Sequence, residues 1–560
     1  MAIVIVVVHK PVGRLWLSTM TPSTASVEGG LRCAGMRDSP LSIAIAWLSS
    51  TCKQPETGMI VHALALGLGL ASLSATAMAA PGGSYVITDV TVIPVDTDEV
   101  LRHRTVLIRD GKIARIATQG ARTRVEGATV VDGTGKFLIP GFVDAHVHIA
   151  TEGAIRDSKD PAMAALELGR DHAYDRQVML SFLKAGVTGA ANLGGSAGSD
   201  EDLLWLRGQI DQGRIDGPRL YVGKRINGPR AAVANKPEST PPASRPEAPY
   251  TAADGIAAVR RARERGYDFI KPYQFLNRET YQAVVEESRR QGFITTGHLP
   301  ELGCASCADR AFAFAHPMTN IAHSEELARF ARIGSDLSPS DIPALAQAVD
   351  DSGVSVTPTL ITLKTIVGMY VQREVPSVPG DWIKLVDPVT RLDWTPPANR
   401  YLSQAFRDQE GADTFSAGYD FSRVLTRELY KRGVRLTVGT DAALPGLAFG
   451  VSVQQEMIEL REVGLSPLDV LRAASINAHR LFDPDAGSGA VREGERANLV
   501  LLDADPLADT QNVSKIAGVF AQGRWLPMAE IDRRLGEGQA FERGLGEQIE
   551  RLKDARHPAH

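Results

Sequence analysis

Cysteine is scarce, with four in 560 residues. Cys33 and Cys52 fall in an N-terminal region that does not read as mature protein, which leaves Cys304 and Cys307 in a C-A-S-C pair. Without a second pair, an all-cysteine zinc site is excluded. A redox motif, half a zinc site and a local disulfide all stay open, the disulfide being the default in an exported protein. An excess of charge of one sign is also missing. Lys and Arg number 61 against 66 Asp and Glu, so the formal charge of −5 gives no footprint for nucleic acid. Sustained periodicity is absent from residues 1–58, and the apolar run Ala2–Val8 is too short to span a bilayer.

With 44% hydrophobic and 23% charged residues, a large core and at least two domains are expected. From Met59 an uncharged apolar run ends in Ala77-Met78-Ala79, an A-x-A cleavage pattern. Residues 59–79 therefore read as a signal peptide, with 1–58 an upstream extension of doubtful status. The run carries no positive start of its own and approaches spanning length, so an uncleaved membrane anchor is the alternative. The expectation is export, to the periplasm or medium.

Residues 84–138 read as β-structure: SYVITDVTVIPV and TVLIRDGKIARIA are rich in Val, Ile and Thr, with a hairpin signal at Asp110-Gly111. A second β-rich set, ANLVLLDAD and KIAGVFAQGRWL, lies within 483–530. Two such flanks around a long middle predict a small β-sandwich built from both ends of the mature chain. The middle, 139–482, alternates short apolar strands with helical stretches, an α/β pattern of βα units. Its candidate strands are Phe137–Asp144, Val187–Leu193, Arg219–Val222, Phe269–Tyr273, Phe293–His298, Thr319–His323, Val354–Thr359 and Val434–Asp441. Eight of them argue for a (β/α)8 TIM barrel. Helices are expected over Pro161–Ala185, Ala252–Arg265 and Arg278–Gln291. The tail 531–560 reads as an amphipathic helix on Ile531, Leu535, Phe541, Leu545, Ile549 and Leu552. Two long connections follow strand C-termini: Lys224–Tyr250, which is proline-rich, and Lys364–Phe415, which carries Trp382, Trp394 and Tyr401. Both are candidate walls of a substrate cleft.

The stretch FLIPGFVDAHVH holds the chemistry. In an extended strand His146 and His148 point the same way, an arrangement that suits zinc, although two ordinary histidines beside a turn fit a bare H-x-H as well. The placement of the other residues decides. Lys271 lies near the end of strand four, His298 ends strand five, His323 ends strand six and Asp441 ends strand eight. Singly, Lys271 could be a solvated lysine and Asp441 a helix N-cap. Six donor-type residues at five strand ends on one barrel face are hard to assign to chance. Tyr273, two residues beyond Lys271, faces the same interior and is a candidate substrate contact, with a packing role as its alternative. His316 precedes strand six and reads as structural.

The order H-x-H, Lys, His, His, Asp resembles the metal-dependent amidohydrolase superfamily in its binuclear form with a carboxylated lysine. KFLIPGFVDAHVH, GVTGAANLGG, GTDA, NAHRLF and GERANLVLLD resemble it too. Within the superfamily the chain is similar to the branch of Xaa-Pro dipeptidases and N-acyl-amino-acid (ochratoxin-type) amidohydrolases. The resemblance implies two divalent metal ions, with zinc expected. His146, His148 and Asp441 would hold the more buried metal and His298 and His323 the more exposed one, with Lys271 bridging both as a carbamate. It further implies a bridging hydroxide as nucleophile and Asp441 as the catalytic group that moves its proton to the leaving amine. The expected partner is a small-molecule amide substrate. No nucleic acid and no stable membrane partner after signal cleavage are expected, and a homo-oligomer is allowed. Lactone or phosphotriester hydrolysis on the same two metals is the alternative, followed by a mononuclear deaminase. A scaffold without catalysis should have lost donors, and none of the six is missing.

Overall fold

In the computed structural model the described residues run from 83 to 556, leaving out 119–124, 159–160, 195–199, 230–247, 301–308, 334–335, 377, 393, 397, 400, 404–408 and 486. The leader region, most of the proline-rich connection, and Cys304 and Cys307 lie outside them. Strands β1 (Tyr85–Val92), β2 (Leu101–Arg109), β3 (Lys112–Thr118), β4 (Thr129–Asp132) and β5 (Phe137–Pro140) open the chain. Asp110 and Gly111 both take positive φ in the two-residue turn between β2 and β3, as a tight hairpin turn requires.

Strand β6 (Phe142–Val147) begins the barrel. It is followed by β7 (Val187–Asn192), β8 (Arg219–Ile226), β9 (Phe269–Pro272), β10 (Ile294–Gly297) and β11 (Asn320–Ala322). A small hairpin, β12 (Arg332–Ile333) and β13 (Asp336–Leu337), precedes β14 (Ser355–Thr357). Strands β15 (Leu499–Leu502), β16 (Ile516–Ala521) and β17 (Arg524–Pro527) return to the first sheet. That sheet has eight strands and runs β17-β16-β15-β5-β1-β2-β3, with β4 beside β1. It encloses its own core of Ile87, Val106, Ile113, Leu138, Leu499 and Phe520, separate from the barrel's. Each such buried side chain contributes roughly 1.5–3 kcal/mol.

The barrel sheet places seven parallel strands in chain order, from β6 to β14. The eighth expected strand, Val434–Asp441, is not a regular strand. It closes the ring through single parallel bridges, Leu436 to Val356 and Ala442 to Val147. Two of its amides are drawn off the ladder: Val438 donates to the Ala473 carbonyl at 3.1 Å, and Thr440 divides its bond between Asp144 Oδ1 at 3.1 Å and the His146 carbonyl at 3.3 Å. Asp441 then turns to φ 54. Inside the barrel Ala191, Leu193, Tyr221, Phe269 and Ala322 fill one layer, with Phe482 against it.

Two further expectations are corrected. Phe137–Asp144 is not one strand but two, in different sheets: Phe137–Pro140 pairs antiparallel with β15, whereas β6 pairs parallel with β7. The apolar run hides the change, which falls at Gly141. A Cβ there would lie 2.0 Å from Thr188 Oγ1 on the neighbouring strand. Gly141→Ala should therefore destabilise by about 1–3 kcal/mol, as overpacked sites do. Thr188→Ala in the same chain should recover part of the loss in a thermal melt. Pro161–Ala185 is not one helix either. Pro161–Ala164 and Ala173–Lys184 are separated where Gly169, Asp171 and His172 all take positive φ. In the connection 364–415, Trp394 and Tyr401 are buried in small satellite cores.

The other two helices fall where expected. Ala252–Glu264 starts on a Thr251–Asp254 capping box, and Arg278–Arg290 starts on Asn277, whose side chain accepts from the Thr280 amide. The C-terminal helix Met528–Arg556 buries Ile531, Leu535, Leu545 and Ile549, and Asp532 pairs with Lys184 of the first barrel helix.

Candidate metal centre

The C-terminal ends of the barrel strands bring all six candidate donors together. His146 Nε2 lies 3.3 Å from His148 Nε2, 3.3 Å from Lys271 Nζ and 3.1 Å from Asp441 Oδ1. His148 Nε2 is 3.0 Å from the same carboxylate oxygen, and His323 Nε2 is 4.0 Å from Asp441 Oδ2. The His323 ring sits 4.5 Å from that of His146 and 5.1 Å from that of His298, centroid to centroid. Burial does not sort the histidines into a deep pair and a shallow pair. The side chains of His146 and His323 are 0% and 5% exposed, against 24% for His148 and 15% for His298.

Protonation states follow from burial. Desolvation, reinforced by the Lys271 charge, holds the His146 imidazole well below its ordinary value. Desolvation with the His323 and Lys271 charges does the same to His298, and desolvation brings His323 down to about 4. Burial also lowers the Lys271 ammonium to about 7, with Asp441 opposing and Arg225 assisting. For Asp441 burial alone would raise the carboxyl. Its contacts with His146, and then with His148 and His323, outweigh burial and hold the carboxyl well below its ordinary value. Neutral imidazoles, an amine that gives up its proton near pH 7 and a carboxylate are the donor forms that divalent cations take.

The donor set fits a metal on a second count. Imidazole and amine nitrogens abut one another in a buried space, and His146 Nδ1 has no hydrogen-bond partner. Such crowding of lone pairs is stabilised by a cation between them. The backbone is strained there as well, with His323 at φ 74 and Asp441 at φ 54, as happens where a site over-determines the chain.

Supporting groups fix the donors. His323 Nδ1 is 2.8 Å from Thr359 Oγ1, leaving Nε2 to face the cluster. Glu326 lies 3.3 Å from His298 Nδ1 without a hydrogen bond between them, and is itself held by Arg329 and the Leu299 amide. Asp144, fully buried, accepts from the His146 amide, the Thr440 amide and the Thr440 hydroxyl, the last at 2.7 Å. It ties the first strand to the last beside Asp441. The sequence reading passed over Asp144, although period two puts it on the face of His146 and His148. Asp144→Ala should weaken metal binding about 10–100-fold, as loss of an outer-shell orienter does, measured by competition with a chromogenic chelator.

Tyr273 continues the β9 pairing, its amide donating to the Ile226 carbonyl at 3.0 Å. Its ring lies 4.3 Å from the His298 ring and 4.8 Å from Lys271 Nζ. His316 stands apart, capping the helix Arg310–Ala315 and 3.6 Å from Glu286. A second donor group, Glu152, His172 and Asp175, serves the fold: Glu152 pairs with Arg156, and Asp175 accepts the Glu152 amide.

Residues 137–526 match the model of the amidohydrolase family, and the chain belongs to that family. The family membership accords with the donor group His146, His323 and Asp441, whose ligand atoms lie close enough together to hold a metal ion. Curated relatives match over short stretches. An adenine deaminase of Rubrobacter xylanophilus is 36% identical over 14% of this chain and 13% of its own length. A dihydroorotase of Pelotomaculum thermopropionicum is 33% identical over 17% of this chain and 24% of its own. Solved structures align more broadly. A Xaa-Pro dipeptidase with bound methionine has a TM-score of 0.57 at 16% identity, covering 80% of this chain and 100% of that one. The ochratoxinase of A. niger has a TM-score of 0.56 at 17% identity, covering 80% and 96%.

Proposed function

We propose that this chain hydrolyses amide bonds of small molecules, dipeptides or N-acyl amino acids, using two divalent cations, zinc by preference. His146, His148 and Asp441 would hold one cation and His298 and His323 the other, with Lys271, as its carbamate, a ligand to both. Metal ions in such a site polarise a carbonyl and make water nucleophilic near neutral pH. The observation that carries the reading is Lys271, buried among the histidines with its Nζ 3.3 Å from His146 Nε2. A one-metal deaminase has no use for it there.

The chain's own groups supply the rest. Asp441, an anion in contact with both strand-one histidines, is placed to take the proton of the attacking water and return it to the leaving amine. Tyr273 stands at the edge of the cluster, where its hydroxyl can donate to a substrate oxygen. The likeness to a Xaa-Pro dipeptidase supports an amide substrate. Export from the cell is part of the same reading.

The test is a substrate panel with purified, zinc-loaded protein: dipeptides including Xaa-Pro, N-acyl amino acids, lactones, phosphotriesters, adenine and dihydroorotate. Turnover of the amides is expected. Turnover confined to lactones and phosphotriesters, or release of ammonia from adenine, would overturn the proposal.

A further inference from the structure

Arg225 occupies the end of β8, in register with Lys271 on β9. Residues paired across a parallel ladder face the same side, so its side chain enters the barrel mouth above the candidate metal centre. The rest of the strand agrees: a Cβ at Gly223 would strike the interior ring of Phe269, and Lys224, one residue off, turns outward to Asp200. The Arg225 guanidinium carbon lies 5.3 Å from the Tyr273 ring centroid, and Lys271 Nζ lies 4.8 Å from the same ring. Tyr273 thus neighbours both the guanidinium and Lys271.

Arg225 is half-buried, yet no carboxylate among the described residues pairs with it. Two other half-buried arginines of the barrel have such a partner: Arg219, on the same strand, lies 2.6 Å from Asp483, and Arg207 2.6 Å from Asp268. Drawing a cation partly out of water without a counter-ion costs free energy that a bound anion would restore.

We propose that Arg225 is a carboxylate-binding subsite, so that the substrates are amides carrying a free carboxylate next to the scissile bond. This rests on the amide-hydrolase reading above. The spacing agrees with an α-amino acid. A guanidinium carbon sits about 4 Å from the carboxylate carbon in a two-bond pair. That carbon lies roughly 3–3.7 Å from the scissile carbonyl carbon by standard backbone lengths. The guanidinium carbon and Lys271 Nζ, 5.3 Å and 4.8 Å from the Tyr273 ring, are at most about 10 Å apart, so a span of this length reaches from Arg225 toward the cluster. An amide lacking the carboxylate leaves the guanidinium unmatched and is selected against.

The experiment compares the best N-acyl amino acid of the panel with its C-terminal carboxamide, in wild type, Arg225→Lys and Arg225→Gln. Wild type should prefer the acid in kcat/KM. Arg225→Gln should lower the acid-to-carboxamide ratio by at least about tenfold, with Arg225→Lys between, because a lysine keeps the charge but not the planar fork. An unchanged ratio, even with both rates reduced, would overturn the subsite. If wild type cleaves neither compound, the amide reading falls. The subsite is then judged by calorimetry with N-benzoylglycine and its carboxamide: a preference for the acid that is lost in Arg225→Gln supports it, and equal binding overturns it.

Discussion

Lys271→Ala should lose nearly all turnover and one of two metal equivalents. Losing an orienting neighbour of a metal ligand already costs about 10–100-fold, so losing a ligand shared by two cations should cost more than a hundred-fold. Metal analysis after dialysis and steady-state rates check the two halves separately. Retained wild-type turnover would remove the bridging role. The acid-base behaviour of the amine adds a direction. Burial brings the Lys271 ammonium down from its ordinary value to about 7, so its neutral form, the one that reacts with carbon dioxide, is scarce below pH 7 and dominant above. Recovery of activity by apo-protein given zinc and bicarbonate should accordingly be faster at pH 8 than at pH 6. Equal rates at both would contradict the carbamate.

Asp441→Asn should be the second large loss. The amide keeps the shape of the side chain and one oxygen but cannot accept a proton, so kcat should fall about 10²–10⁴-fold, the usual contribution of a positioned base. Its effect on metal is separable, since Asp441 also touches His146 and His148. Rates measured at saturating zinc report the proton step, and metal content at limiting zinc reports the ligand. A variant restored to full rate by added metal would show that Asp441 only holds the cation.

How much of this was legible beforehand differs by element. The H-x-H pair was legible because a strand's period of two is rigid: His146 and His148 had to share a face. Lys271, His298, His323 and Asp441 were legible only as strand ends, and their meeting depended on a barrel closing over some three hundred residues. Where side chains replace backbone pairing, the reading failed. Nothing in Val434–Val438 reveals that the Val438 amide turns to the Ala473 carbonyl or that Asp144, far away in sequence, accepts from the Thr440 amide. The break at Gly141 was hidden for a related reason, since the apolar residues run on through Phe142 and Val143 while the two strands lie in different sheets. Arg225 also escaped notice, because an unmatched charge is a property of the surroundings rather than of the residue.

The antiparallel join of Phe137–Pro140 to Leu499–Leu502 also orders events on the ribosome. The partners are separated by roughly 360 residues, and such distant contacts are formed slowly. Throughout synthesis of the barrel, the edge of β5 waits without its neighbour, a template for pairing with another nascent chain. Shortened products ending before residue 499 should therefore clump even when every barrel strand is present, and supplying 497–527 in trans is the natural way to rescue them.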